Sequence, residues 1–246
     1  MTTLIADTGT VFHRELRPIL HNPFTIVIAM VQPLVFLGLF APLLPGGADA
    51  LTWFVPGIVV MSCLFASSMT GSNLLFEIQT GAHERMLVTP LRRPALLIGR
   101  ALKEIVPMVA QAALIVLVCL PFGYRPNLGG ALIGLVVLAG FCVGLGALSY
   151  TLALASQHQD WLFWTVQQTL LFPILLLAGV LLPLDGAPGW LRTLSAGNPL
   201  RYVVDAERAL FNGDIWRATT LGGLIAAAAV GTFGLFVGVR AMRRSA

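Results

Sequence analysis

Bond chemistry on a protein needs nucleophiles, acids, bases or metal ligands at set spacings, and few such sets occur in this chain. His13, His21, His83 and His158 are scattered. Cys63, Cys119 and Cys142 each lie inside an apolar run, without a Cys-x-x-Cys spacing, and read as buried, unreactive thiols rather than a disulfide framework or a metal site. No His-Glu-x-x-His, Gly-x-Ser-x-Gly or phosphate-cradling Gly-rich series ending in Gly-Lys-Ser/Thr occurs, and the one lysine is Lys103. The chain is therefore expected to be no enzyme and to hold no metal and no cofactor of its own. What remains is recognition chemistry. The stretch GAHERMLVTPLRRPALLIGRALKE, Gly81 to Glu104, gathers Glu84, Arg85, Arg92, Arg93, Arg100, Lys103 and Glu104 between two long uncharged runs.

The elements that must position this stretch follow from composition. Of 246 residues, 57% are hydrophobic and 11% charged, with a mean hydropathy of +0.85, against about 25% charged in a soluble domain. That is a membrane protein, expected to be all-α and to form a single transmembrane domain over residues 1–246. Uncharged runs long enough for a helical crossing lie at 24–44, 53–76, 105–122, 128–156, 161–184 and 218–239. The net charge of +4 sits beside these runs, where it suits anionic headgroups rather than nucleic acid. With the start in the cytoplasm, Arg14, Arg17, the 81–104 loop and Arg240, Arg243 and Arg244 fall on the inner side, while the two short outer loops hold Arg125 alone. The third outer connection, 185–217, carries Arg192, Arg201, Arg208 and Arg217, accompanied by Asp185, Asp205, Glu207 and Asp214. Both termini are thus placed in the cytoplasm. The first run exceeds a signal-peptide core and is expected to stay in the mature protein.

Ahead of the first span, Ile5, Thr8, Phe12, Leu16 and Ile19 recur at helical spacing, with Asp7, Arg14 and Arg17 elsewhere around the turn. Residues 1–22 therefore read as an amphipathic helix on the inner surface, ended at Asn22-Pro23. Pro33, Pro56, Pro107 and Pro173 are expected to kink or break their spans. The pairs Gly130/Gly134, Gly140/Gly144 and Gly234/Gly238 are expected to pack helices within the chain. In the loop, Thr80-Gly81 ends the second span. Glu84, Arg85, Met86, Leu87 and Val88 then form a short helix stopped before Pro90, an apolar knob flanked by charge that suits a groove on a soluble partner. Arg92, Arg93, Arg100 and Lys103 read as headgroup anchors. In the 185–217 segment, Asn198 caps a helix that has Pro199 at its first position. Leu200, Val203, Val204 and Phe211 share one face, and Arg201, Asp205 and Arg208 can pair on another. Glu207 falls near the apolar face; it either shapes an exit for cationic or amphiphilic molecules, or snorkels to water or pairs with an arginine.

The order PGIVVMSCLFASSMTGSNLLFEIQTGAHERMLVTPLRRPALLIGR, Pro56 to Arg100, resembles the membrane permease of type-2 ATP-binding-cassette exporters, especially the daunorubicin-resistance-permease-like kind. RELRPILHNPFTIVIAMVQP and NPLRYVVDAERALFNGD extend the resemblance over nearly the whole chain. The resemblance implies that the first helix is a connecting helix and that Glu84, Arg85, Met86, Leu87 and Pro90 form a coupling helix seated on a separate ATPase. Two copies of that ATPase, which bind ATP and Mg, would pair with two permeases, expected as a homodimer in the plasma membrane. It further implies that the second and fifth spans line a substrate path and that 185–217 is partly re-entrant. Phe36, Asn73, Gln167, Gln168 and Phe172 then suit a bulky hydrophobic or amphiphilic substrate such as a drug, lipid or natural product. A gradient-driven carrier or channel working without an ATPase is the alternative, made less favoured by the lack of charge in the six runs; a second is a membrane scaffold that transports nothing.

Overall fold

The computed structural model describes residues 3–22, 24–43, 48–89, 91–157, 159–184 and 186–244. Thr3 opens α1 (Leu4–His21), its hydroxyl accepting from the Ala6 amide at 3.3 Å. α2 (Phe24–Phe40) ends in a tight turn at Ala41–Leu43, and α3 (Ala48–Gln79) runs unbroken through Pro56. Gly81, at φ 67°, then turns the chain into the short α4 (Ala82–Leu87). α5 (Arg93–Lys103) and α6 (Ile105–Cys119) are followed by α7 (Leu128–Ala155), α8 (Asp160–Leu177), α9 (Gly189–Ala196), α10 (Pro199–Phe211) and α11 (Ala218–Arg244).

Among the described residues, six stretches are long and apolar enough to cross a membrane: Ile26–Leu43, Ala50–Gln79, Arg93–Phe122, Leu128–Ala155, Asp160–Leu177 and Ala218–Arg243. The six expected runs are all present, with differences in extent. The second helix extends past its uncharged core to Gln79, taking Glu77 with it. The third begins at Arg93, because α5 and α6 are interrupted only at Glu104. Pro107 accounts for that interruption: it lacks the amide that would bond the Lys103 carbonyl one turn back. The fifth stops at Leu177, and the apolar stretch 178–184 leaves the helix through Gly179 at φ 68°, a left-handed conformation that glycine adopts without a Cβ clash. Pro33 and Pro173, like Pro56, lie inside continuous helices.

The main core is built on α3. Phe54, Ile58 and Met61 pack with Met108 and Ile115 of α6, Leu138 and Phe141 of α7, Leu175 of α8, and Val203 and Val204 of α10. A second cluster joins Val11 of α1, Leu96 and Leu97 of α5, Tyr150 of α7, Phe163 of α8 and Met242 of α11. Val11 and Met242 in one cluster place α1 and the end of α11 at the same end of the bundle, called here the terminal end. α7 and α11 cross closely: a β-carbon on Gly144 or Gly234 would run into the backbone of the opposite helix. Gly144 and Gly234 therefore serve packing within the chain, whereas a β-carbon on Gly140 would meet nothing within 4 Å. The bundle leaves rows of large apolar side chains uncovered, including Val27, Val31 and Val35 on α2, Trp161, Leu170 and Phe172 on α8, and Phe233 and Phe236 on α11.

Candidate functional site: a braced helix at the terminal end and a packed segment at the far end

At the terminal end, α4 presents Glu84, Arg85, Val88 and Thr89 outward, with Val88 85% exposed. Arg85 donates back to the Thr80 carbonyl at 3.3 Å, tying the helix to the end of α3. Met86 differs from the expectation of an outward knob. It is buried, with its sulfur against the guanidinium groups of Arg14 and Arg100. A six-residue helix lying on the bundle must turn one side inward, and Met86 and His83 occupy that side. Burial, with Arg100 beside it, pushes the His83 imidazole down to about 4, so it is neutral at physiological pH. Of the remaining residues assigned to this helix, Pro90 lies outside the described residues, and only the backbone of Leu87 is described.

Beneath α4 lies a set of charges that the sequence reading does not anticipate. Arg100, 3% exposed, pairs with Glu77 of α3 and lies 3.5 Å from Glu15 of α1, and its guanidinium sits 5.6 Å from the Tyr150 ring centre. Lys103, 5% exposed, lies 3.5 Å from Glu15 and 3.8 Å from Glu104, whose Oε1 also accepts from the Thr70 hydroxyl at 3.4 Å. Arg100 and Lys103 are thus not headgroup anchors. They face inward because α1 covers α5 so closely that a β-carbon at Gly99 would stand 2.8 Å from Val11. The same packing buries Asp7, expected on the polar side of α1: its Oδ2 accepts from the Arg92 amide at 3.3 Å, while Ile5 of the expected apolar stripe is 84% exposed. The residue types could be noticed in sequence, but their convergence from α1, α3 and α5 is tertiary.

The residues suggested for a path do not form one cluster. Asn73 on α3 and Gln168 and Phe172 on α8 are exposed, Gln167 is partly buried with its carbonyl oxygen unpartnered among the described residues, and Phe36 stacks on Phe40 at 5.8 Å within the α2–α3 packing.

At the far end, Asn198 performs the expected capping and more. Its Oδ1 accepts from the Leu200 amide at 3.1 Å, and its Nδ2 donates to the Ile174 carbonyl of α8 at 2.6 Å. Pro199 occupies the first position of α10, and Leu200, Val203, Val204 and Phe211 are buried along one side. Asp205 lies 3.7 Å from both Arg201 and Arg208. Arg208 lies 3.8 Å over the Trp53 ring and donates to the carbonyls of Trp53 (3.0 Å) and Gly179 (2.8 Å), fastening α10 to α3 and to the bend after α8. A cavity of about 300 Å³ opens beside these groups, lined by Trp53, Arg201, Asp205, Arg208, Asp214 and Arg217 among others. Glu207 neither snorkels nor pairs with an arginine: it is 0% exposed, with neither oxygen hydrogen-bonded among the described residues.

Six apolar crossings, a braced polar helix between the second and third, and a packed amphipathic segment between the fifth and sixth define a multi-pass helical membrane protein. The chain belongs to the ABC-2 type transporter family, whose model matches residues 7–212. It is similar to the daunorubicin resistance ABC transporter permease protein DrrB1 of Streptomyces coeruleorubidus, at 26% identity over 86% of this chain and 77% of that protein. The ycf38 protein of Cyanophora paradoxa, described as a transport permease, is 29% identical over 79% of this chain and 70% of its own length. DrrC of Mycobacterium tuberculosis, described as a doxorubicin resistance ABC transporter permease, is 25% identical over 90% and 82% respectively. The chain is accordingly a permease subunit of the ABC exporter type.

Proposed function

We propose that this chain carries a hydrophobic or amphiphilic substrate (a drug, lipid or natural product) out of the cytoplasm, driven by ATP hydrolysed on a separate subunit. Two copies of this chain pair with two copies of that ATPase, which holds ATP and Mg. The assembly sits in the plasma membrane with the terminal end in the cytoplasm. The observation that carries the reading is α4: Glu84, Arg85 and Val88 are turned outward while Met86 rests on Arg14 and Arg100. A helix braced in this way can pass displacement to α1, α3 and α5 together, because the ion pairs beneath it join all three.

The outward Asn73, Gln168 and Phe172 support a path completed by the second copy, and the apolar face of α8 supports the pairing. In this reading the 185–217 segment dips into the outer leaflet beside the exit. The nucleotide subunit supplies the free energy, and this chain performs no bond chemistry.

Native mass spectrometry of the gently purified complex tests the assembly: two permease and two P-loop ATPase masses are expected, and this chain recovered alone would overturn it. Replacing Glu84 and Arg85 together by Ala is expected to leave membrane insertion intact and to uncouple ATP hydrolysis from export. Unchanged export in that variant removes the docking role.

A further inference from the structure

Two buried polar groups at the far end take no part in the contacts described above. The Glu207 carboxyl lies against α7 at Gly134, where a β-carbon would overlap Oε2 and stand 3.2 Å from Oε1. The Tyr124 hydroxyl, just ahead of α7, is also buried and unpartnered among the described residues.

Charged and titratable groups on the surrounding elements are directed elsewhere. On α10 itself, Arg201 reaches Ser195 and Asp205, and Arg208 reaches Trp53, Gly179 and Asp205. Cys63 of α3 donates to the Leu138 carbonyl and lies beside Cys142 of α7, while Cys119 lies at the end of α6 beside Tyr124. Arg217, ahead of α11, pairs with Asp214 at 3.1 Å. Arg125, ahead of α7, and Arg192 on α9 are exposed, and Asp160 of α8 is held at the opposite end by Gln79. A carboxylate enclosed without a counter-charge is strongly disfavoured, and the neutral acid is the form that such a site keeps. Burial pushes the Glu207 carboxyl up to about 8.

We propose that Glu207 is a proton-binding site that latches α10 onto α7: the protonated carboxyl fits the seam at Gly134, and loss of the proton drives the middle of α10 off that seam toward water. The seam has other fastenings one turn further on, where the Leu210 backbone abuts Gly130 and the Asn127 amide donates to the Phe211 carbonyl at 2.8 Å. The latch therefore governs the middle of α10 while its end stays held. The seated state binds the extra proton, because the folded value is raised from 4.5 to about 8. Seating is complete below the ordinary carboxylate range and is lost as pH rises through about 8. The inference concerns this chain alone and does not depend on the ATPase partner.

Hydrogen exchange of the full chain in lipid nanodiscs, followed by mass spectrometry over residues 199–211 and corrected for intrinsic exchange, tests it. Protection in the wild type is expected to fall by up to about tenfold per pH unit on the alkaline side. Glu207→Gln and Glu207→Leu both imitate the neutral seam and are expected to stay protected with no such pH response. The proposal is overturned by loss of protection at neutral pH in both variants, or by a pH response in them equal to that of the wild type. It is equally overturned if sodium or potassium restores protection to the wild type at alkaline pH, which would make the site one for a metal cation.

Discussion

Arg100 stands where three helices meet, and its removal strands more than one acid. Glu77 and Glu15 both face its guanidinium, and Tyr150 closes the remaining side. Breaking a buried ion pair by deleting one partner leaves an uncompensated charge, at a cost of about 3–5 kcal/mol. Arg100→Ala is therefore expected to lower the thermal unfolding midpoint in detergent micelles markedly, and Glu77→Gln/Arg100→Gln less than the sum of the two single changes. A strictly additive double variant would show that the pair is not coupled. Glu84 and Arg85, by contrast, are exposed, so their replacement is expected to cost little stability.

At the scale of elements, the glycines separate close crossings from open positions. A β-carbon at Gly130 would overlap the Leu210 carbonyl, whereas one at Gly140 would meet nothing within 4 Å. Gly130→Ala is expected to destabilise the α7–α10 contact by about 1–3 kcal/mol. Gly140→Ala is expected to be neutral or stabilising by up to about 1 kcal/mol. Limited proteolysis of the segment around α10, with equal cleavage rates in the two variants, would refute that distinction. The apolar runs and the Asn198-Pro199 start of α10 were legible because each is written in contiguous residues. The bend at Gly179 was not, because 178–184 is as apolar as a span; its exit depends on Arg208 donating to the Gly179 carbonyl. Met86 pointed outward in a local reading and points inward because the surface beneath α4 is made by residues far away in sequence. Glu207 was seen to fall near the apolar face, but its complete enclosure depends on α7 having a glycine opposite it.

Taken whole, the molecule is asymmetric along its length. Its terminal end is held by ion pairs joining α1, α3 and α5, and its far end by close backbone crossings and the Arg208 stack. The order in which the chain is made gives the terminal arrangement a further meaning. Glu15 and Glu77 precede Arg100 and Lys103 in the sequence, so during synthesis both acids leave the ribosome before the bases they neutralise. A segment that must enter a bilayer with an arginine and a lysine in its first turns pays about 2.5–3.5 kcal/mol for each such residue if it is placed centrally and alone. With the acids already in place on α1 and α3, insertion of the third crossing is expected to be assisted by those two helices. Reporter tags placed after residue 122 are expected to show a drop in correct insertion of that crossing when Glu15 and Glu77 are both changed to Gln, and recovery when Arg100 and Lys103 are neutralised as well. On this expectation the order of synthesis matters at one place, where the acids of α1 and α3 receive the bases of α5.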